Sequence, residues 1–245
     1  SKDAALLARL PCLTSLRVHT LSSPGEKFAT LEQLKLHHVG GELVLRAPRL
    51  QSLSASGTVD LPHLLPLLLQ PFALSSLELH TARLGSAADL AQLASLSSLT
   101  VLALRESKWR AAADFAFLKS LPLLSNLRLG AVDFTPVEAP APQQLLAGLD
   151  YLHTLRLHAN GRVDIARLGL QPSQLRTLIV SEHEWKRFAD VAPPAPVQLT
   201  MDDVTVLSSF KRLSVLHPWT LTQAQRRKLS APLPFLVIKT KLGFA

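Results

Sequence analysis

The amino-acid sequence predicts an α/β solenoid, a curved horseshoe whose successive repeats each add one strand to a parallel inner sheet. Three observations support this prediction. A short leucine phrase recurs along the chain, its copies keep a regular spacing, and the segments between copies carry helix signals. The first leucines of neighbouring copies lie 18 to 28 residues apart from Leu13 to Leu175. We therefore expect stacked repeats in one elongated body.

The repeated phrase has the pattern Leu-x-x-Leu-x-Leu, with some variation at its last position. Alternation at the fourth and sixth positions points two side chains inward from a short strand, and the residues between them point outward. Eight copies are clear, and they begin at Leu13, Leu31, Leu50, Leu74, Leu99, Leu124, Leu152 and Leu175. Three weaker copies are predicted at 196–201, 213–218 and 233–238, which gives about 10–11 units.

The segments between the phrases predict helical crossovers, which parallel strands require. In the clearest one, over 86–96, Ser86 is a candidate N-cap and Asp89 stands at the third helical position, ahead of apolar residues at helical spacing. Further helices are predicted at 111–121, 143–149, 184–191 and 222–229, and a 3₁₀ segment around 163–170. We expect these helices and the irregular segments outside the sheet.

The repeat resumes in register after each proline-rich insertion, which predicts a single domain over residues 1–245. Within it, 1–12 is predicted to be an N-terminal capping helix, 13–195 the clearer repeats, and 196–245 the degenerate repeats and a C-terminal cap. The most apolar stretch, 61–69, contains two prolines and is shorter than the roughly 20 residues that a membrane-spanning helix needs. No membrane span is predicted.

These phrases resemble the leucine-rich repeat family over nearly the whole chain. The family usually has asparagine or cysteine at the ninth position of the phrase, but here only Asn160 conforms. The departure predicts an irregular horseshoe without an asparagine ladder. Phrases such as the one at 121–134 resemble the repeats attached to some F-box proteins, although the residues before Leu13 contain no counterpart of the F-box.

Charge and cysteine content limit the partners and the setting. The net charge of +8 favours acidic partners, which include proteins, nucleic acid and anionic membrane surfaces. Because Cys12 is the single cysteine, no intramolecular disulfide can form, and this favours an intracellular setting in the cytoplasm or in an organelle such as the mitochondrion. The apolar neighbours of Cys12 predict a small buried side chain.

The outward positions of the phrases define the candidate binding surface. Four of the first eight residues between the inward leucines are basic, and histidine recurs two positions further on. The candidate partner-binding residues are Arg17, His19, Lys35, His37, Glu78, His80, Arg105, Arg128, Arg156 and His158. His19 and His37 are expected side by side on neighbouring strands. Because no cysteine or carboxylate accompanies them, we interpret them as solvated, and no metal or cofactor is predicted.

A second basic cluster lies in the helix predicted at 222–229. Arg226, Arg227 and Lys228 are candidates for contacts with phosphates or acidic groups, and cations at this end of a helix also complement its dipole. Glu78 interrupts the outward basic residues of the strands, which argues against a continuous track for phosphates. Aromatic residues make up only 5% of the chain, so base stacking on single-stranded nucleic acid is not expected.

No phosphate-binding glycine loop, nucleophile elbow or zinc-protease helix motif occurs in the sequence. The sequence therefore predicts a non-enzymatic binding or scaffold protein that docks an acidic protein partner on its basic concave face. Two alternatives stay open. One is a structural subunit of a large assembly, such as a mitochondrial ribonucleoprotein, that contacts RNA backbone, and the other is the substrate-receptor portion of an F-box-type ubiquitin ligase.

Overall fold

A computed structural model gives the fold of the chain in two compact units. Unit 1 comprises Ser1–Ser107 with Ala116–Leu124, and unit 2 comprises Lys108–Phe115 with Ser125–Ala245. The structure describes residues 8, 10–20, 26–38, 45–57, 59–70, 74–80, 82–83, 86–105, 112–133, 146–160, 165, 168–170, 172, 174–182, 199–217 and 221–238.

Ten parallel strands follow one another in chain order, as the repeat predicts. Unit 1 contains β1 (Ser15–Thr20), β3 (Gln33–His38), β5 (Ser52–Ala55), β7 (Ser76–Leu79) and β9 (Val101–Leu104). Two short pairs, β2 (Glu26–Lys27) with β4 (Leu45–Arg46) and β6 (Val59–Asp60) with β8 (Ala82–Arg83), also lie in unit 1. Unit 2 contains β10 (Asn126–Asp133), β11 (Thr154–Asn160), β12 (Thr177–Glu182), β13 (Val215–His217) and β14 (Val237–Ile238).

The phrase leucines stack in register and form the core. In unit 1 the fourth-position leucine of each strand pairs with that of the next, as Leu34 does with Leu53, and both side chains are fully buried. Unit 2 repeats the arrangement, because Leu155 of β11 is the partner of both Leu127 and Leu178. Stacking of identical apolar side chains removes them from water, which is the main stabilising contribution in a repeat protein.

The start of each strand is tied to the preceding repeat by shared backbone acceptors. The carbonyl oxygen of Glu32 accepts the amides of both Gln51 and Ser52, at 2.8 and 3.0 Å. Side-chain hydroxyls add a third donor where the second phrase position is serine or threonine, as when Thr100 Oγ1 donates to the carbonyl of Ser75 at 3.0 Å. These bonds satisfy the backbone at the edge where the strands begin.

Four α-helices and two 3₁₀ segments, one of three residues and one of nine, lie between the described strands of the sheet. They are α1 (Leu61–Leu68), α2 (Ala87–Gln92) followed by a 3₁₀ turn at Leu93–Ser95, a 3₁₀ helix at Ala112–Ser120, α3 (Met201–Ser208) and α4 (Gln223–Ser230). The helices predicted at 86–96 and 222–229 are confirmed, both with complete capping boxes. The segment predicted as a helix at 111–121 is 3₁₀ instead. Because α1 contains Pro62 and Pro66, its sequence gave no helix signal, although the structure places Pro62 in the first turn, where proline is tolerated.

Some predicted segments lie largely or wholly outside the described residues. They include 184–191 and most of the capping helix at 1–12. Of the helix predicted at 143–149 the structure describes 146–149, which form a turn and not a helix. Of 163–170 it describes 165 and 168–170, where the amide of Leu168 donates to the carbonyl of Ile165, as in a 3₁₀ turn. The side chains at the ninth phrase position also lie outside, so the missing asparagine ladder stays a prediction. None of the described helices has the length and apolar character to cross a membrane.

Two of the weak phrases were predicted wrongly. The described part of the phrase at 196–201 is not a strand, because Thr200 caps α3, and β12 pairs directly with β13. In the last phrase Leu216 pairs with Ile238 and not with Leu236. The predicted register would place Pro234 where an amide must donate to the carbonyl of Ser214, and proline has no amide hydrogen. Val237 makes that bond, at 2.8 Å.

The predicted burial of Cys12 was also wrong, because this residue is exposed. It lies in the turn immediately before the first phrase. No strand precedes β1 in the described part of the chain to cover it. A small apolar side chain at the edge of a repeat array therefore remains in contact with solvent.

Candidate partner-binding surface

The alternation of each strand turns its third, fifth and seventh phrase positions away from the leucine core, and we call this surface the strand face. The third position is mostly polar, with Ser15, Gln33, Asn126, Thr154 and Thr177 among its residues. The fifth and seventh positions hold the candidate residues that the sequence predicts. These residues differ from strand to strand, whereas the leucines beneath them stay constant. The chemical character of the strand face therefore depends on these positions.

In each unit the fifth-position residues of neighbouring strands are direct pairing partners. We call this row of fifth-position residues the basic column. In unit 1 Arg17 pairs with Lys35, and both side chains are exposed. In unit 2 Arg128, which is half-buried, pairs with Arg156, which is exposed. The structure thus brings the four predicted basic residues together as two pairs of neighbours.

Beyond each basic pair, the basic column continues with uncharged or acidic residues. In unit 1 the ladder continues from Lys35 through Ser54 to Glu78 and Ala103, and in unit 2 Ile179 follows Arg156. Glu78 is half-buried and interrupts the column, as predicted. Ala103 was expected to face solvent but is 4% exposed, because its methyl group is shorter than the side chains around it. Each basic pair is therefore two strands wide.

Arg17, Lys35 and Arg156 have no hydrogen-bond or ion-pair partner among the residues that the structure describes. The one salt bridge found there joins His63 to Asp60, at 3.9 Å between Nδ1 and Oδ2. Like charges on directly opposite residues of neighbouring strands destabilise a sheet. The charged groups of Arg17, Lys35 and Arg156 are therefore available to an external anion.

A cluster of three histidine rings lies at the ends of β1 and β3. The ring centroids of His19 and His37 are 4.8 Å apart, which confirms that they lie side by side. His38 is 6.1 Å from His19 and 6.4 Å from His37. His38 was not predicted to belong to this cluster, because its position in the phrase predicts an inward side chain, whereas the structure shows it exposed.

Gly57 of the next repeat packs closely against the backbone of His37, one residue of the histidine cluster. A Cβ atom added at Gly57 would lie 1.8 Å from the carbonyl oxygen of His37, so no other residue fits there without a backbone shift. The described residues contain no group of three histidine, cysteine or acidic side chains arranged to hold a metal ion. The predicted pair is thus present as neighbouring solvated rings.

His158 of unit 2 makes a different contact. Nη2 of Arg128 lies 3.3 Å from Nε2 of His158, which belongs to β11. A guanidinium group has donors only, so Nε2 of His158 must accept this bond and the ring proton must sit on Nδ1. His80 and Arg105, the remaining candidates at the seventh position, are half-buried at the ends of β7 and β9.

The second predicted basic cluster lies on α4. Arg226, Arg227 and Lys228 are exposed, and Arg227 and Lys228 occupy the last turn of the helix. Nζ of Lys228 donates to the hydroxyl of Thr205 on α3, at 2.7 Å. Lys228 therefore links α4 to α3, and Arg227 and Lys228 lie where cations complement the helix dipole, whereas a contact of the cluster with phosphates or acidic groups stays a prediction.

Comparison with known proteins gives similarity at the level of solved structures alone. No family model matches the chain, and no curated protein matches it. An internalin C2 from Listeria monocytogenes is 17% identical, covers 92% of this chain and 80% of its own, and has a TM-score of 0.48. A second internalin from that organism is 15% identical, with coverages of 86% and 67% and a TM-score of 0.47. The assignment of the architecture comes from the chain itself: parallel strands that follow the leucine phrases in chain order and are joined by crossovers form a leucine-rich-repeat solenoid.

Proposed function

We propose that this protein is a non-enzymatic binding scaffold that docks an acidic protein partner on its strand face. The observation that supports the proposal is the pairing of like charges: Arg17 with Lys35, and Arg128 with Arg156, as direct ladder partners. Two cations on opposite residues of a sheet repel each other. Carboxylates or other anions of a partner would offset this repulsion on binding.

The width of the two basic pairs favours a protein over RNA. A nucleic acid backbone presents regularly spaced charges and is bound by an extended basic track. Here each pair is followed by an uncharged side chain, Ser54 in unit 1 and Ile179 in unit 2. The polar residues at the third position supply hydroxyl and amide groups that can hydrogen-bond to a folded protein surface or to a peptide.

The test begins with capture of partners from native extract by the full chain, with and without RNase and at two salt concentrations. A protein partner survives RNase and weakens as salt rises, because exposed charge pairs are screened. Loss of the bound material on RNase treatment would contradict the proposal and favour the ribonucleoprotein alternative. Recovery of a ubiquitin-ligase adaptor would instead favour the ligase alternative.

Charge reversal then locates the surface. The double variant Arg128→Glu/Arg156→Glu should weaken the captured partner's affinity by about 100-fold or more, since it turns two attractive contacts into repulsive ones. The double variant Arg226→Glu/Arg227→Glu is the matched control, because it makes the same charge change on α4 and should reduce binding only through long-range attraction. Equal losses in both doubles would overturn the assignment to the strand face.

A further inference from the structure

The two arginines at the fifth phrase positions of unit 2 form the most defined charged group on the strand face. Arg128 in β10 and Arg156 in β11 are direct ladder partners, and neighbouring strands lie about 4.8 Å apart. The leucines on either side of each arginine are buried, so both guanidinium groups leave the core on the same face. They are close enough together to contact a single small anion.

The Arg128 guanidinium is held in place. Its contact with Nε2 of His158 directs it across β10 toward β11, the strand that also carries Arg156. The ladder between the two strands shifts register between Leu129 and Val132, directly after Arg128. Irregularities of this kind redirect side chains and are common next to binding sites. The side chain of Arg128 is therefore partly ordered before a ligand binds, which lowers the conformational entropy lost on binding.

Neutral donors complete the surroundings of the pair. Asn126, Thr154 and Thr177 precede the fifth position by two residues on three successive strands, on the same face and half-buried. Their amide and hydroxyl groups can donate hydrogen bonds to anionic oxygens. Ile179 on β12 ends the charged region on one side. The arrangement is that of a compact site for one anion.

We propose that Arg128 and Arg156 bind a phosphoryl group on a phosphorylated side chain of the protein partner, with His158 as the positioning residue for Arg128. This inference rests on the proposed function and specifies its ligand. A phosphoryl group carries a charge of about −1.5 to −2 at neutral pH and three acceptor oxygens, so it can accept hydrogen bonds from more than one guanidinium group. A carboxylate has one charge and two oxygens, and one arginine satisfies it.

The direct test uses three short peptides, acetyl-Gly-X-Gly-amide with phosphoserine, serine or glutamate at X, and measures their affinity for the full chain by calorimetry. The phosphoserine peptide should bind at least tenfold more tightly than the glutamate peptide. Arg128→Gln and Arg156→Gln should each reduce that affinity about tenfold, the loss expected for one charge-assisted hydrogen bond. Arg176→Gln, an exposed arginine of the same unit, is the control and should leave the affinity unchanged.

The role of His158 is tested by measuring phosphoserine-peptide affinity in two further variants. His158→Phe removes the acceptor and should lower phosphoserine-peptide affinity as much as Arg128→Gln does. His158→Gln should restore it, because the amide oxygen can accept from the guanidinium. Equal binding of the phosphoserine and glutamate peptides, or equal loss in Arg176→Gln, would overturn the phosphoryl assignment.

Phosphatase treatment of the extract separates this inference from the proposed function. If the phosphoryl site is correct, the captured partner is lost after treatment. A partner that stays bound after phosphatase, yet is lost with Arg128→Glu/Arg156→Glu, rejects the phosphoryl site and leaves the docking function standing. A partner that resists both treatments rejects both.

Discussion

Units 1 and 2 contain the same local motifs, but unit 2 uses them to connect repeats. In unit 1 the capping box of α2 joins Ser86 to Asp89, and its bonds are exposed and local. In unit 2 the equivalent Asp203 is 3% exposed and reaches beyond its own helix, since its Oδ1 accepts the amide of Ile165 at 2.9 Å. A cap in unit 2 is thus also a link between segments 38 residues apart.

The box of α4 shows the same extension. Gln225 is buried, its Oε1 accepts the amide of Thr222 at 2.8 Å, and its Nε2 donates to the carbonyl of Leu199 at 2.7 Å. A polar side chain can be buried at low cost when all of its groups are bonded. Asn160 is the one asparagine at the ninth position of the eight clear phrases, and these two side chains supply hydrogen bonds between consecutive segments of unit 2.

The strand face repeats the contrast. Histidines of unit 1 contact one another and lie exposed beside Arg17 and Lys35, whereas His158 of unit 2 accepts a hydrogen bond from Arg128. Equal residue types at equal phrase positions therefore produce a solvated cluster in one unit and an ordered guanidinium in the other. Order of this kind lowers the entropy cost of binding, which is why the docking proposal centres on unit 2.

The largest expected effect is on the buried cap. Asp203→Ala leaves the amide of Ile165 and the groups of Thr200 without their acceptor, and should lower the free energy of unfolding by about 3 kcal/mol. Asp89→Ala, the matched change in α2, removes local bonds only and should cost less. Denaturant unfolding of both variants measures the difference. Equal losses would remove the contrast between the two capping boxes.

Two glycine substitutions should lower the free energy of unfolding by smaller amounts. The cause is a steric clash in unit 1 and an unfavourable backbone conformation in unit 2. Gly57→Ala should cost about 2 kcal/mol, because the new methyl group meets the carbonyl of His37 and the backbone must shift. Gly148→Ala should cost about 1 kcal/mol, since Gly148 has a φ of +87° but open space around it. In spectra of the Gly57 variant the ring signals of His37 and His19 should move. Unchanged ring signals would show that Gly57 does not support the histidine cluster.

The smallest expected effect concerns the exposed cap of α2. Hydrogen bonds from the backbone amide and the hydroxyl of Ser86 lower the pKa of Asp89 from its ordinary value near 3.8. The bonds favour the carboxylate, so their contribution to stability is present above pH 3.8 and is lost as the pH falls through the lower folded-state pKa. Ser86→Ala should raise the pKa of Asp89 toward 3.8 in a carbon-detected titration. An unchanged pKa would contradict the assigned cause.

Sequence reasoning succeeded where one local rule decides the outcome. Period-two alternation placed Arg17, Lys35, Arg128 and Arg156 on one face, and the Ser-x-x-Asp spacing located the start of α2. The same alternation failed for His38, which lies at the end of its strand. The register predicted from the last phrase was wrong, because Pro234 cannot donate the backbone hydrogen bond that this register requires.

The chemically important contact could not be read from the sequence. The bond between Arg128 and His158 joins residues 30 positions apart and depends on side-chain conformation. The hydrogen bond between Asp203 and Ile165 could not be predicted for the same reason. The capping-box sequence predicts only the bonds between Thr200 and Asp203. Both contacts arise from packing between repeats, which the phrase alone does not encode.

The central claim, that the strand face of unit 2 is the docking surface, is tested most directly by site-specific photo-cross-linking. A photoreactive residue is placed at Thr154 on the strand face or at Ala224 on α4, each in the otherwise unchanged chain, and the captured partner is irradiated in the complex. The account predicts cross-links from Thr154 and none from Ala224. Cross-links from Ala224 alone would contradict it and would place the partner on the basic helix instead.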